Sequence, residues 1–196
     1  MTESGPRVFL IAGSADKNSY IRTSMEILAN TLRESGAQVD LWDLAEQPLP
    51  LLCPSILMAT PQSVPFPVHQ FTQLAEQADA FVLGSPVYHN SYSGILKNAL
   101  DLLSSQHLFH KPVALISNGN SDRTACLPCE HLRSVVKGLS AIAIPTQLVT
   151  IPADFLPMDN QHVLTNTRLL ERFSLLAKEL LYFTTFLHHD VQTQVS

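Results

Sequence analysis

The sequence predicts an α/β fold, a parallel sheet of five short strands with helices on both faces. Three observations carry that prediction. Apolar runs at 7–12 (RVFLIA), 80–83 (AFVL) and 113–116 (VALI) have the composition of strands buried on both faces. Each run is stopped by glycine, serine, asparagine or proline, residues that end a ladder or turn the chain. Between the runs lie segments whose apolar residues recur at helical spacing, the alternation expected of strand–helix–strand units.

Composition narrows what the chain can be. Its 196 residues suit one domain, 1–196, with a sizeable core. Hydrophobic residues make up 45% and charged residues only 15%, an apolar surface that points to a homodimer or homotetramer. A net charge of −5 and no cluster of Lys or Arg argue against nucleic acid or a membrane surface as partner. No apolar run approaches the ~20 residues of a membrane span. The start, MTESGPRVFLIAG, has neither the basic lead nor the uninterrupted apolar stretch of a signal peptide. Three cysteines without a disulfide pattern fit a reducing cytoplasm.

Taken in order, the first strand ends at Gly13-Ser14. A helix then opens at Ser19 or Tyr20, with Ile21, Met25, Leu28 and Leu32 on one face and Ser35-Gly36 as its cap. Strand, serine turn and helix amino-terminus together can hold a phosphate, because exposed amides and the positive end of the helix dipole face the anion. The candidate ligands are Ser14, Lys17, Asn18 and Ser19 with their amides. The same pattern is also that of an ordinary capped helix start. Gln38 to Leu44 alternates and reads as the second strand.

Residues 45–67 hold six prolines and few charges, the composition of an irregular loop. Its Leu49, Leu51, Leu52, Ile56, Leu57 and Met58 are costly in water, so the loop is expected to pack at a subunit interface or on the rim of a site. Cys53 within it reads as a small hydrophobe. Val68 to Gln77 forms a helix with Phe71, Leu74 and Ala75 inward. The third strand, 80–83, is expected to stop at Gly84-Ser85-Pro86, since proline has no amide hydrogen for a ladder. A polar, aromatic loop follows, and a helix opens near Ser93 with Ile95, Ala99, Leu102 and Leu103 inward and Lys97, Asn98 and Asp101 outward. A loop this polar between two buried elements suggests contact with a ligand. Tyr88 and Tyr92 can cover a flat ring, and Asn90, Ser91 and Ser93 can hydrogen-bond its edge.

The fourth strand, started by Lys111-Pro112, ends at Ser117-Asn118-Gly119-Asn120. Cys126-Leu-Pro-Cys129 leads into a helix over 130–139. Two cysteines at this spacing near a helix start read either as a redox pair with lowered pKa or as two unpaired, packed thiols. Neither a second pair nor a histidine at zinc spacing is present, which leaves no metal site. Ala141 to Val149 is the fifth strand, its Pro145 marking an edge or a bulge. Val163 to Leu187 is a final helix, apolar around much of its girth near Leu175–Phe186 and so expected to be covered by another subunit. His188 and His189 at its end favour the helix dipole. Three loops, each after a strand's carboxyl end, thus converge on one crevice, where open α/β sheets bind ligands.

The segment PVYHNSYSGILKNALD, residues 86–101, resembles the signature of the NAD(P)H-dependent FMN reductases. That flavodoxin-like group includes chromate, azo and quinone reductases, and the likeness is strongest to reductases that supply FMNH2 to two-component monooxygenases. In that family P-x-Y-x-x-x-x-S-G-x-L-K-N is the loop that holds the isoalloxazine ring. The resemblance implies a flavodoxin-like, doubly wound sheet in the order 2-1-3-4-5. It implies FMN held by Ser14, Lys17, Ser19 and Tyr20 at the phosphate, and by Pro86, Val87, Tyr88, His89, Asn90 and Ser93 at the ring. Ser117, Asn118, Gly119 and Asn120 would lie against the ring edge, and His131 falls where the family often makes subunit contacts. Relatives commonly read G-S-x-R-x-x-S in the first loop, and this chain has Asp16 in place of the arginine. A carboxylate at contact distance repels a phosphate by about 1 kcal/mol even in high dielectric. Asp16 must therefore turn to solvent while Lys17 or Arg22 supplies the positive charge, or the flavin is held more weakly.

No paired carboxylates, Ser-His-Asp order or metal box stand out, so no side chain is assigned a catalytic role. A site of amides, hydroxyls and tyrosines suits a task in which a cofactor carries the chemistry. The expected function is an NAD(P)H-dependent FMN reductase. NADPH or NADH reduces FMN, and electrons pass to a small-molecule acceptor such as a quinone, azo dye or metal oxyanion, or to a flavin-dependent monooxygenase. A flavodoxin-like electron carrier without NAD(P)H oxidation is the alternative, and a flavin-free scaffold with a decayed phosphate site is a third reading.

Overall fold

The computed structural model describes residues 5–60, 63–159 and 161–194, without the side chains of Leu57 and residues 188–194. The dipole role expected of His188 and His189 and the packing of Leu57 lie outside the described residues. Strand β1 is Arg7–Ala12, followed by α1 (Tyr20–Glu34), β2 (Gln38–Asp43), α2 (Pro54–Leu57), α3 (Phe66–Gln77) and β3 (Ala80–Pro86). Then come α4 (Gly94–Asp101), α5 (Ser105–Leu108), β4 (Pro112–Asn118), α6 (Leu127–Gly138) and β5 (Ile142–Thr150). A short hairpin, β6 (Phe155–Met158) and β7 (Gln161–Leu164), precedes the long α7 (Thr167–Gln194).

The five main strands pair in parallel in the order β2-β1-β3-β4-β5. Alternation within β1 divides the core. Val8, Leu10 and Ala12 face α1 and α7, where Met25, Leu28, Phe173, Leu176 and Leu180 close around them. Phe9 and Ile11 face the opposite side, against Phe71 of α3, Leu96 and Leu100 of α4 and Leu132 of α6. Both layers are fully buried, so the sheet is wound on both faces as expected. The rings of Phe9, Phe71 and Trp42 meet at tilted or edge angles, with centroids 5.5 Å (Phe9–Phe71) and 5.3 Å (Trp42–Phe71) apart.

Several boundaries depart from the sequence reading. β3 does not stop at Gly84 but runs through Pro86, with Ser85 opposite Ser117 and Pro86 opposite Asn118. Proline is tolerated there because it is the last residue of the strand, and the next amide, of Val87, makes the cross-strand bond to Asn118 O instead (2.8 Å). Pro145 marks both an edge and an irregularity: β5 is the outer strand, and its register to β4 shifts between Val113 and Leu115. The final helix begins at Thr167, not Val163, because 161–164 form β7. β6 (FLPM) is apolar but only four residues long and interrupted by Pro157, and β7 (QHVL) begins with two polar residues, so neither reads as a buried strand. Among the described residues no helix is long and apolar enough to cross a membrane.

The inner face of α4 is made by Leu96, Ala99 and Leu100, with Leu103 following, rather than by Ile95, Ala99, Leu102 and Leu103. The rotation brings Asn98 against the proline loop instead of into solvent. Its Nδ2 donates to Pro50 O (2.9 Å) and its Oδ1 accepts from Leu52 N (2.8 Å), so one amide satisfies both backbone groups of an extended segment. The loop itself is not wholly irregular: Pro54 opens the four-residue α2, and α3 starts at Phe66, ahead of the expected Val68. Asn98→Ala should lower stability by about 1–3 kcal/mol, the cost of stranding two partly buried backbone groups. The check is a lower urea midpoint with an unchanged slope.

Candidate functional site

The order of the sheet places the carboxyl ends of β1, β3 and β4 side by side, and their loops are stitched together by buried hydrogen bonds. Gly13 N donates to Gly84 O (2.8 Å), Val87 N to Asn118 O (2.8 Å) and Gly119 N to Thr150 O (3.1 Å). Ser93 is the central strut. Its hydroxyl donates to Gly13 O (2.6 Å) and caps α4 by accepting from Leu96 N (3.2 Å). Its own amide donates to Ser85 Oγ (2.9 Å), whose hydrogen goes to Pro86 O (2.9 Å). Small residues are needed where these loops cross. A Cβ on Gly13 would lie 2.7 Å from Gly84 O, and one on Gly119 would lie 2.8 Å from Val87 Cγ2.

The first loop, 13–19, ends at Ser19, the N-cap of α1, whose hydroxyl accepts from Arg22 N (3.1 Å). Asp16 is exposed and bends back over its own loop, its Oδ1 accepting from Asn18 N (2.9 Å) in an Asx turn. Asp16 N donates to the buried Ser14 Oγ (3.2 Å). Among the described residues, the amides of Ala15 and Lys17 donate no hydrogen bond, leaving donors just ahead of the positive end of a helix. The cations expected to supply charge are both engaged. Lys17 Nζ contacts Glu46 (3.0 Å), and Arg22 contacts Glu26 (3.1 Å), Glu46 (3.1 Å) and Asp43 (3.4 Å). The two cations hold the Glu46 carboxyl below its ordinary value, whereas burial raises that of Asp43.

Tyr20 does not point at the loop's amides. It stacks on His162 of β7 (centroids 4.0 Å apart) and meets Phe155 of β6 (5.0 Å), anchoring the hairpin beside α1. A ring nitrogen of His162, Nε2, lies 2.9 Å from Asn18 O. Between hairpin and helix opens a polar cleft of about 400 Å³ lined in part by Lys17, Asn18, Ser19, Arg22 and His162.

The second loop forms a tight hairpin. Tyr88 and Ser91 exchange backbone bonds (2.9 and 3.0 Å), while His89 and Asn90 between them adopt φ of 48° and 64°. That is the two-residue turn in which both central residues are left-handed, a strained state for histidine that the paired ends hold in place. Tyr88 is 51% exposed and stands beside this turn, whereas Tyr92 is half-buried and packs against the core cluster beneath it. Ser91 Oγ meets His131 Nδ1 of α6 (3.0 Å), tying the turn to that helix. In the third loop, Asn118 Nδ2 donates to Thr150 Oγ1 (2.9 Å), and Asn120 is exposed.

The structure thus brings the three predicted loops together and sorts their residues. Ser93 and Ser117 are fully buried, and their hydroxyl hydrogens are committed, to Gly13 O and Ala125 O. These two serines shape the site from beneath rather than offering donors to its surface. Sequence reasoning missed Asp43, Glu46 and His162. The acids stand at the carboxyl end of β2, which the order 2-1-3 puts next to the first loop, so the strand order held the signal; no local pattern marked His162.

Residues 6–155 match the NADPH-dependent FMN reductase family. An FMN-dependent NADPH-azoreductase of Staphylococcus saprophyticus is 38% identical over 175 residues, 89% of this chain and 93% of that protein. An enzyme of the same description from Staphylococcus aureus is 38% identical over 74% of this chain and 77% of its own. Among solved structures, an NAD(P)H:(acceptor) oxidoreductase from Paracoccus denitrificans superposes with a TM-score of 0.74 at 19% identity, covering 92% and 97% of the two chains. An archaeal flavodoxin, 10% identical, gives 0.57 over 91% and 99%. Both structural likenesses bear on the fold.

Of the two cysteines at the start of α6, Cys129 is a packed thiol. Cys129 is buried, its Sγ donating to Ser117 Oγ (3.2 Å), and burial pushes its pKa up to about 12, the opposite of what a redox pair requires. In contrast, the Ser55 hydroxyl 3.0 Å away and the Ile56 amide lower the pKa of Cys53. Because the thiolate is the nucleophile, alkylation of the folded protein near neutral pH should label Cys53 first. Cys129 should be labelled only after unfolding. Mass-mapped labelling of Cys129 at the rate of Cys53 would contradict this.

Proposed function

The chain belongs to the NADPH-dependent FMN reductase family, and on that premise we propose how its residues carry out NAD(P)H-dependent reduction of FMN. FMN held by the three loops would supply the hydride-accepting and electron-passing chemistry, and this chain's residues would bind and orient it. The donor set fits such a group. Free amides at the amino end of α1 suit a phosphate, and an exposed tyrosine beside a rigid turn suits a flat ring. Ser14, Lys17, Ser19 and their amides would hold the phosphate, with Tyr20 indirectly positioning this loop through the hairpin. Pro86, Val87, Tyr88, His89 and Asn90 would line the ring, and Asn118 and Gly119 its edge, with Ser93 and Ser117 fixing the loops from below. No side chain is required as acid or base. The protein's work is to hold ring and nicotinamide face to face within about 3–3.5 Å, and a stitched loop system supplies that rigidity.

The observation that supports this reading most directly is the joining of three separate loops by buried hydrogen bonds at the switch in strand order. The acceptor is a small molecule, and the names of the curated relatives favour an azo compound, with quinones as the related class. Unpaired cysteines and a need for NAD(P)H suit a cytoplasmic enzyme. Titration of the purified protein with FMN, followed by anaerobic NADPH, should bleach the flavin absorbance, and air or an azo dye should restore it. Binding without bleaching would identify an electron carrier instead.

The surface supports self-association of this domain. Leu51, Met58 and Phe66 on the proline segment are 79%, 85% and 70% exposed, and Leu175, Tyr182 and Phe186 form a second apolar surface on α7. Light scattering should therefore return the mass of a dimer or tetramer, and a stable monomer at micromolar concentration would refute it.

A further inference from the structure

The charges beside the first loop are arranged against an anion as much as for one. β2 lies next to β1 with Asp43 opposite Ala12, and Leu44 N donates to Ala12 O (3.1 Å). The turn that follows is fixed by Asp43, whose Oδ1 accepts from Ala45 N and whose carbonyl accepts from Glu46 N and Gln47 N. This turn delivers Glu46 to the start of α1. One Glu46 oxygen takes Lys17 Nζ at 3.0 Å and the other Arg22 Nη1 at 3.1 Å, so a single carboxylate bridges both cations near the loop. Arg22 is further held by Asp43 Oδ2 (3.4 Å) and Glu26 (3.1 Å), and Asp16 occupies the Asn18 amide. Two cations thus face four carboxylates around a loop whose amides suit a phosphate.

We propose that Glu46, supported by Asp43, competes with the FMN phosphate for Lys17 and Arg22, so that FMN is held loosely and exchanges between turnovers rather than remaining a permanent prosthetic group. This rests on the reading that the first loop takes that phosphate. Glu46 is partly exposed, so it exerts its effect through a high-dielectric region and its pairs can open without unfolding. The energy involved is modest, which suits a site that must both bind and release. Removing one carboxylate charge from within contact range of the cations should strengthen FMN binding about fivefold.

The test is fluorescence titration with FMN and, separately, with riboflavin, which lacks the phosphate. Glu46→Gln keeps the shape and removes the charge. It should tighten FMN about fivefold and leave riboflavin unchanged. Lys17→Ala should cost more FMN affinity in the Glu46→Gln background than in the parent protein, because only there is the lysine released. Unchanged or weaker FMN binding by Glu46→Gln, or equal tightening of FMN and riboflavin, would overturn the competition. If the parent protein at saturating FMN reduces the flavin with NADPH while Glu46→Gln shows no tightening, only this inference falls. If neither protein binds either flavin, the functional reading falls with it.

Discussion

The hydrogen bond from the Ser93 hydroxyl to the Gly13 carbonyl joins residues 80 positions apart in sequence and sits almost without solvent contact. On it depends the relation between the loop that suits a phosphate and the loop that suits a ring. The same oxygen caps α4, and the same residue's amide is received by Ser85, so one side chain sets the end of β1, the end of β3 and the start of a helix. In a dry interior such bonds are strong, and stranding any of their partners is costly. Two serines and two glycines therefore do what larger side chains could not, since a Cβ on Gly13 would meet both Gly84 O and Leu96 Cβ at 2.7 Å.

With its foundation made of buried small residues, the exposed part of the site is left mainly to backbone and to Tyr88. This division suits a reaction whose chemistry resides in a cofactor. Proton transfer by a side chain would demand a poised acid or base, whereas face-to-face hydride transfer demands geometry. The strained His89-Asn90 turn follows the same logic. It is closed by paired backbone bonds and buttressed through Ser91 and His131 by α6, so its shape is set before any ligand arrives.

Around this rigid centre the electrostatics are adjustable. Lys17 and Arg22 are the positive charges of the first loop, and both are already paired with acids from the neighbouring strand's turn. Asp16, which at first sight opposes a phosphate, turns back onto its own chain. The loop keeps unused amides of the helix start while the carboxylates around it outnumber its two cations, a combination that favours moderate and reversible binding of an anion over permanent capture.

The sequence by itself determined the five parallel strands, the buried character of β1, β3 and β4, and the site's three loops, because these are local properties. An apolar run of four to seven residues, a glycine or proline that ends it and a helical period after it each act within a few positions. The motif from Pro86 to Asp101 carried the family in the same local way. Tertiary structure alone decided which face of α4 is buried, that Asn98 clamps the proline segment, that Ser93 and Ser117 are struts, and that Tyr92 leans on the core. It also decided that Glu46 bridges Lys17 and Arg22 and that His162 closes over Tyr20. Each of these contacts joins segments far apart in the chain. The physical reason is that hydrogen-bond partners and ion pairs are chosen by which strand ends the sheet brings together, and that choice has no signature in the spacing of residues along any one segment.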